Sequence, residues 1–344
     1  TKQSEQSKKF WVENKMTRSL KALFWYNESM LKRSEKNLTW YRMQSEEIAD
    51  FDILRQEFGF DEEKLTYIVD INELAHLEYD KEKGDLFLIY NALDLTREEG
   101  YYQTVPLTFY VKGGELISIA SRKSDYIQAE MDKSLSQSAG MSVYEFLFRA
   151  LVVVSKNYFA TIESLNRERN RLNQLLRQKT SKDELLALSD LETGLVYLVA
   201  ASKQNALLLD QLKTQTFVKN LTETEREELD DAIVEAKQVM EMTQLSAQIL
   251  DQLEGTYNNI LNNELNDTMS ALTMFSIMLT IPSIITGFFG MNVILPDTFA
   301  TSPVGWLLVL ALTAFIMFIL ECLLTFYMDK RGIETRVFKR KGKK

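Results

Sequence analysis

Residues 268–292 read TMSALTMFSIMLTIPSIITGFFGMN, a stretch without a single formal charge. Met269 to Phe289 alone supplies about the 20 residues that a helix needs to cross the hydrocarbon of a bilayer. Asn266, Thr273, Thr280 and Gly287 recur every seven residues, and Met269, Ser276 and Ser283 do so on a neighbouring line. On a helix these positions gather into one small, polar stripe. In lipid such a stripe turns inward, toward other helices or a water-filled path, because a hydroxyl gains nothing from hydrocarbon. Small residues also allow plain close packing of membrane helices, and the stripe by itself fits both readings. Pro282 has no amide hydrogen and is placed to bend the helix.

Downstream, Val304 to Leu320 is a second apolar run, extended to Met328 if Glu321 snorkels toward water at its inner end. Eight bases crowd the last 16 residues, whereas the loop between the two runs has no Lys or Arg. The positive-inside rule then puts both termini in the cytoplasm, on a multi-pass protein of the cell membrane. Thr1 to Glu13 is polar and lacks the apolar core of a secretory signal, in keeping with a cytoplasmic N-terminus.

Upstream the solvent changes. Residues 1–267 carry 45 acids against 32 bases, a net charge of -13, while the tail from residue 329 is net +6. All four prolines stand at 106, 282, 296 and 303, so 175 residues between Pro106 and Pro282 are free to form long helices. Three capping-box patterns, Ser142 with Glu145, Ser181 with Glu184 and Thr222 with Glu225, predict three helix starts there. After the third, Leu229, Ile233, Ala236, Met240, Ala247 and Leu250 make a coiled-coil-like seam. A helix unbroken from about residue 223 to 289 would be roughly 100 Å long, with Gly255 weakening but not ending it.

The N-terminal third is α/β in character. Leu65 to Ile71, Asp85 to Leu93, Val105 to Val111 and Glu115 to Ala120 are rich in strand formers, and Gly113-Gly114 suits a tight hairpin. Ser45 to Phe58 reads as a helix with Ile48, Phe51, Leu54 and Phe58 on one face. The expected fold is therefore an α/β cytoplasmic subdomain at 1–140, long antiparallel helices and a stalk at 141–267, and two C-terminal transmembrane helices. Those helices fall at 268–291 and 304–328, separated by an outer loop at 292–303 and followed by a basic tail at 329–344.

Thr286-Gly287-Phe288-Phe289-Gly290-Met291-Asn292, at the outer end of the penultimate span, resembles the glycine-tyrosine-glycine-methionine-asparagine signature of the CorA-type magnesium transporter family, with Phe289 in place of the tyrosine. The resemblance implies a homo-oligomer, a pentamer, with the first spans around the pore and the second spans outside them. It makes Gly290, Met291 and Asn292 the selectivity filter, Asn266, Met269, Leu272, Thr273, Ser276, Thr280, Ser283 and Gly287 the pore lining, and Met269 with Leu272 an apolar constriction. Thr280 stands where the family often has methionine, and Pro282 stands one position from the expected proline.

Chemistry agrees with that assignment. Mg²⁺ gives up its waters reluctantly, so a pore meets it hydrated, and a ring of Asn292 amide oxygens accepts hydrogen bonds from those waters without trapping the ion. Asn292 also reads as a helix C-cap beside Gly290. The family senses cytoplasmic Mg²⁺ with acids between subunits, for which Asp230 and Asp231, with an acid from Asp70 to Asp85, are candidates. Together with the neighbouring glutamates they also read as a solvated first turn. The outer loop holds one acid, Asp297, which implies a weak electrostatic funnel.

Other classes find little support. Cys322 is the only cysteine and His76 the only histidine, so neither a disulfide framework nor a multi-histidine zinc site can form within one chain. There is no phosphate-binding glycine loop and no Ser or Cys nucleophile with a histidine partner, so an enzyme is not expected, nor is a nucleic-acid partner. The expected partners are the lipid bilayer, divalent cations and further copies of the chain. Two rivals stay open: a zinc-handling branch of the same family, coupled to protons or exporting, and a non-conducting membrane-anchored sensor or scaffold working through the stalk seam.

Overall fold

The computed structural model describes residues 30–35, 37–47, 52–97, 100–137, 140–178, 181–291 and 304–330. They fall into two compact units that divide between Glu254 and Gly255.

The first unit is built on six strands: β1 (Met30–Glu35), β2 (Leu38–Gln44), β3 (His76–Asp80), β4 (Asp85–Asp94), β5 (Gln103–Lys112) and β6 (Glu115–Ala120). They lie in the order β1-β2-β6-β5-β4-β3, with β2 and β6 parallel and every other pair antiparallel. The β5–β6 hairpin closes at Lys112 and Glu115 as expected, with Gly113 at φ +59°, a left-handed turn conformation that suits glycine. Strands β4 to β6 match the sequence reading. Their near-continuous apolar run has a physical cause: both faces of the sheet are covered. Phe87, Ile89, Tyr110, Ile117 and Ile119 join one core with Leu54, Phe58, Phe60, Leu65 and Ile68 from two short helices, α1 (Asp52–Gln56) and α2 (Glu62–Val69).

Two expectations fail here. Leu65 to Ile71, read as a strand, is mostly the helix α2, because Asp61 caps it by accepting the Lys64 amide at 2.9 Å and Leu65 and Ile68, three apart, are its buried residues. Ser45 to Phe58 is not one helix but a 3-10 turn at Ser45–Glu47 followed by α1, and Ile48 and Phe51 lie outside the described residues.

The other sheet face meets three helices, α3 (Asp125–Gln137), α4 (Val143–Gln178) and α5 (Lys182–Lys213). Trp40 packs edge-on against Phe146 of α4 and donates its indole N–H to Ser118 at 2.9 Å. β3 stops at His76, opposite Ile89, so it offers no partner to Asn91 two residues further on. Asn205 of α5 takes its place: its Oδ1 accepts the Asn91 N–H at 2.9 Å and its Nδ2 donates to the Asn91 carbonyl at 2.8 Å, the pair of bonds a strand would make. Gln204 accepts from the Asn91 side chain, and Tyr158 of α4 donates to the same Asn91 carbonyl. Gly194 on α5 lies so near the chain at Tyr102 that a Cβ would stand 3.2 Å from its amide nitrogen, a contact tight enough that the neighbouring chain would have to shift by a few tenths of an ångström.

All three predicted helix starts are present, and they differ in how they are capped. Ser142 accepts the Glu145 amide at 3.1 Å, while the Glu145 carboxylate turns to Arg149 instead of reaching back. Ser181 makes no side-chain cap bond at the start of α5. Thr222 and Glu225 close the full box, with the Thr222 amide on the Glu225 carboxylate at 2.8 Å and the Glu225 amide on the Thr222 hydroxyl at 3.3 Å. The helix that follows, α6, runs unbroken from Glu223 to Phe289 through Gly255 and Pro282. The Glu225 carboxylate also accepts the Ser142 hydroxyl at 2.5 Å, so one side chain joins the N-termini of α4 and α6. Burial pushes the Glu225 carboxyl up, and the bonds from Ser142 and Thr222 outweigh it and hold it below the usual carboxylate range.

The seam on α6 is filled by the chain itself: Leu229, Ile233, Ala236 and Leu250 are buried, and Thr243 meets Ser202 of α5 hydroxyl to hydroxyl at 2.8 Å. The second unit holds the rest of α6, from Gly255, and α7 (Gly305–Lys330), whose 26 residues are enough to cross a bilayer. Glu321 falls within α7, and its side chain lies outside the described residues. By length and composition α5 and α6 each hold a membrane-length apolar window, but α5 buries twelve residues as a core helix, whereas the window on α6 is wholly unburied.

Asn205→Ala strips the partner from the Asn91 amide and is expected to destabilise the first unit by about 1–3 kcal/mol, measured by chemical denaturation of the detergent-solubilised chain. Asn205→Asp, which keeps the acceptor but sets a buried carboxylate oxygen against the Asn91 carbonyl, should lose at least as much. A carboxyl held low in the fold contributes stability above its unfolded pKa of about 4.3, and that contribution disappears as pH falls through the folded value. Denaturation midpoints followed from pH 7 downward should therefore fall less steeply through the acid range in Glu225→Gln than in the parent.

Candidate functional site

The candidate site is the apolar length of α6, where the side-chain hydroxyls follow one rule. Thr273 donates to the Met269 carbonyl at 2.9 Å, Ser276 to Leu272 at 2.9 Å, Thr280 to Ser276 at 2.7 Å and Ser283 to Leu279 at 3.0 Å. Thr268 and Thr286 do the same to Glu264 and Pro282, both at 2.8 Å. Each is the four-residue back-bond open to Ser and Thr on a helix. These six hydroxyl protons are thus committed to the helix's own backbone, and their oxygen lone pairs face outward. This changes the argument made from polarity alone. The hydroxyls tolerate an apolar surrounding, and what Thr273, Ser276, Thr280 and Ser283 present is a row of acceptors.

Asn266, Met269, Thr273, Ser276, Thr280, Ser283 and Gly287 share one face of the continuous helix, at alternating spacings of three and four. Leu272 stands beside it: at 100° per residue it is roughly 70° from the midline of that stripe, about 20° beyond its edge at Ser283. Met269 and Leu272 are 59% and 67% exposed, so neither is held by packing within the chain. Pro282 leaves the Met278 carbonyl without its helical donor, and α6 passes through the position without a break.

The helix ends at Phe289. The Gly290 amide still donates to Thr286 at 2.9 Å, and the Met291 amide reaches Phe288 at 3.4 Å as the last turn tightens. A Cβ on residue 290 would lie 3.0 Å from the Thr286 carbonyl oxygen, which accounts for glycine there on local grounds. Gly290 and Met291 are placed just past the helix terminus, whereas Asn292, Asp297 and the rest of 292–303 lie outside the described residues, as does the tail from residue 331.

The candidate sensing acids are engaged differently from one another. Asp230 accepts Lys213 Nζ at 2.6 Å. Asp231 lines a surface groove with Arg149, Lys156, Glu228, Val234 and Glu235, in which Arg149 pairs with both Glu145 and Glu228. Among the described residues no three His, Cys, Asp or Glu side chains come together to hold a metal ion within one chain, so Asp230 and Asp231 would need acids from a second copy. The residue pattern did not announce the Ser142–Glu225 bond, because it joins positions 83 residues apart.

Beside the buried seam α6 shows a second apolar line. Val234, Met242, Leu245 and Ile249 are 37–57% exposed, at spacings of eight, three and four.

The model of the CorA-like Mg2+ transporter protein family matches residues 35–330. The "Cobalt/magnesium transport protein CorA" of Methanocaldococcus jannaschii is 26% identical over 272 residues, covering 77% of this chain and 83% of that protein. The complete structure of the CorA magnesium transporter from the same organism superposes with a TM-score of 0.71 at 24% identity, covering 84% of this chain and 90% of the other. The ZntB cytoplasmic domain from Vibrio parahaemolyticus shares the fold at a TM-score of 0.54 and 9% identity, over 68% of this chain and 99% of the other. With the family model spanning the sheet, the helical layer, α6 and α7, the chain belongs to the CorA-like Mg2+ transporter protein family.

Proposed function

We propose that this chain is a homo-oligomeric channel through which hydrated Mg²⁺ enters the cell, with Co²⁺ and Ni²⁺ as secondary cargo. The observation that carries the reading is the acceptor stripe: one continuous helix, ending at Phe289 just before Gly290-Met291, on which Thr273, Ser276, Thr280 and Ser283 present lone pairs while the backbone holds their protons. A hexahydrated dication presents only donors, so acceptor rungs suit it and a strong carboxylate cage is not required. Asn292 meets the ion at the outer mouth as a neutral amide ring, the acceptor face of α6 lines the path, and Met269 with Leu272 pinches it. The assembly is a pentamer by family resemblance, and the exposed line Val234, Met242, Leu245 and Ile249 is where a neighbouring copy covers α6.

Influx needs no nucleotide. A dication moving inward gains about 4.6 kcal/mol per 100 mV, twice the single-charge value. Cytoplasmic Mg²⁺ closes the channel: the excess of 13 negative charges over residues 1–267 makes neighbouring copies repel, and ions bridging Asp231, and Asp230 once freed from Lys213, to acids of the next copy relieve this. The basic tail and the outer loop without Lys or Arg support cytoplasmic termini in a cell-membrane protein. No observation on the chain favours zinc export or proton coupling. The scaffold reading loses its working surface, since the seam is buried within the chain.

In proteoliposomes Asn292→Ala is expected to cut Mg²⁺ uptake by roughly tenfold or more with the oligomer intact by size exclusion. Uptake equal to the parent's would leave Asn292 as a helix cap only. Chelating Mg²⁺ should make the cytoplasmic part more sensitive to limited proteolysis, and the same digestion pattern with and without the ion would count against gating by bridging ions.

A further inference from the structure

Resting on the reading that α6 enters the bilayer near Thr268, we infer that the tip of the α4–α5 hairpin is a second membrane contact, which binds anionic lipid headgroups of the cytoplasmic leaflet. Residues 1–267 are acidic as a whole, at -13, yet residues 167–182 hold Arg167, Arg169, Arg171, Arg177, Lys179 and Lys182 against Glu168 alone. That island of net +5 lies where α4 ends at Gln178 and α5 begins at Lys182. Asp183 and Glu184 follow in the first turn of α5, where the helix amides favour acids.

Much of the island's charge is left unpaired by the chain. Arg167 pairs with Glu163 at 2.7 Å on the surface. Arg171, Arg177 and Lys182 are exposed and have no acid partner among the described residues, and Arg169 keeps its Nη1 buried without an acceptor. Apolar side chains stand among these bases: Leu175 is 36% exposed and Leu186 54%. Leu175 follows Arg167 and Arg171 at four-residue spacing, and Leu186 follows Lys182 in the same way, so each helix presents base and leucine on one line. A tip that only had to be soluble would carry the charge without the leucines. Bases beside exposed leucines suit an anionic lipid surface, which attracts the one and takes up the other.

The tip is also at the end of the first unit where such a surface is reached. Ser202 of α5 meets Thr243 of α6 at 2.8 Å, and Glu192 lies against Glu254, so the two helices run antiparallel. The hairpin tip therefore stands at the end by which α6 leaves the unit. Lys182 is ten residues beyond Glu192 on α5, about 15 Å, and Thr268, where the charge-free run begins, is fourteen beyond Glu254 on α6, about 21 Å. Extended Arg and Lys side chains bridge a difference of that size. The other surface of complementary charge is the acidic cytoplasmic part of a neighbouring copy, which would hold the tip away from lipid.

The test uses the full chain, with Cys322→Ser, in lipid nanodiscs, with a fluorophore on Gln174→Cys at the tip and a headgroup-spin-labelled lipid as quencher. Discs of phosphatidylcholine alone are compared with discs containing about 30 mol% phosphatidylglycerol. The phosphatidylglycerol discs are expected to quench the label about twofold more, and about 0.5 M salt to remove the difference. Arg171→Glu with Arg177→Glu should remove it at low salt, whereas Arg171→Lys with Arg177→Lys should keep it. A label on Lys219→Cys, beyond the far end of α5, should stay unquenched in both kinds of disc. Equal quenching of the tip label in the two discs overturns the lipid contact, and so does no quenching in either, which hands the tip to the acids of a neighbouring copy. Loss of the difference in about 10 mM inorganic phosphate at matched ionic strength also overturns it, leaving a site for free anions. An Asp267→Cys label that neither disc quenches overturns the insertion of α6 near Thr268, and the tip contact with it.

Discussion

The carboxylate of Glu225 decides where α6 begins. It closes the capping box with Thr222 and at the same time takes the hydroxyl of Ser142, the cap of α4, so the two longest described helices start from one buried group. With that start set, the absence of proline before Pro282 lets the helix run on without interruption to Phe289. Placement of the residues within the acceptor stripe follows from this continuity, because a break would lose the angular register between them.

The sheet depends on a comparable economy of bonds. β3 is short, and the amide of Asn205 completes the edge of β4 where β3 ends, docking α5 onto the sheet through backbone groups that would otherwise be buried unpaired. On the membrane-length part of α6 backbone carbonyls again do the work, this time by taking up the hydroxyl protons of Thr273, Ser276, Thr280 and Ser283. The outcome is a row of hydroxyls that accept hydrogen bonds and do not donate them, which under the proposed function suits the outward-facing protons of a hydrated cation.

Much of this was legible in the residues, for identifiable reasons. Thr222, Glu225 and the missing prolines mark α6 at both ends, and β4 to β6 stand out because burial on both faces leaves long apolar runs. The errors have causes as well. Leu65 to Ile71 is rich in β-branched and aromatic residues, and the Asp61 cap overrides that preference. Strands β1 to β3 were not recognised: β3 is half-buried along its length, which breaks the alternation a reader looks for, and β2 is an inner strand with charged Arg42 tied to Gln128 and Asp125. At the site, the spacing of the polar residues was visible and their hydrogen bonds were not, since the direction of a hydroxyl proton depends on where the backbone carbonyls lie. Leu272, pore-lining by resemblance, stands just beyond the edge of the polar stripe by angle.

The central claim is that this family member passes a hydrated divalent cation down its electrical gradient. Uptake of Mg²⁺, Co²⁺, Ni²⁺ and Zn²⁺ into liposomes, at a series of imposed inside-negative potentials and with or without a proton gradient, measures it most directly. The account predicts Mg²⁺ influx that rises with the potential and ignores the proton gradient. Absence of any influx, or transport of Zn²⁺ alone that collapses when the proton gradient is removed, would contradict it.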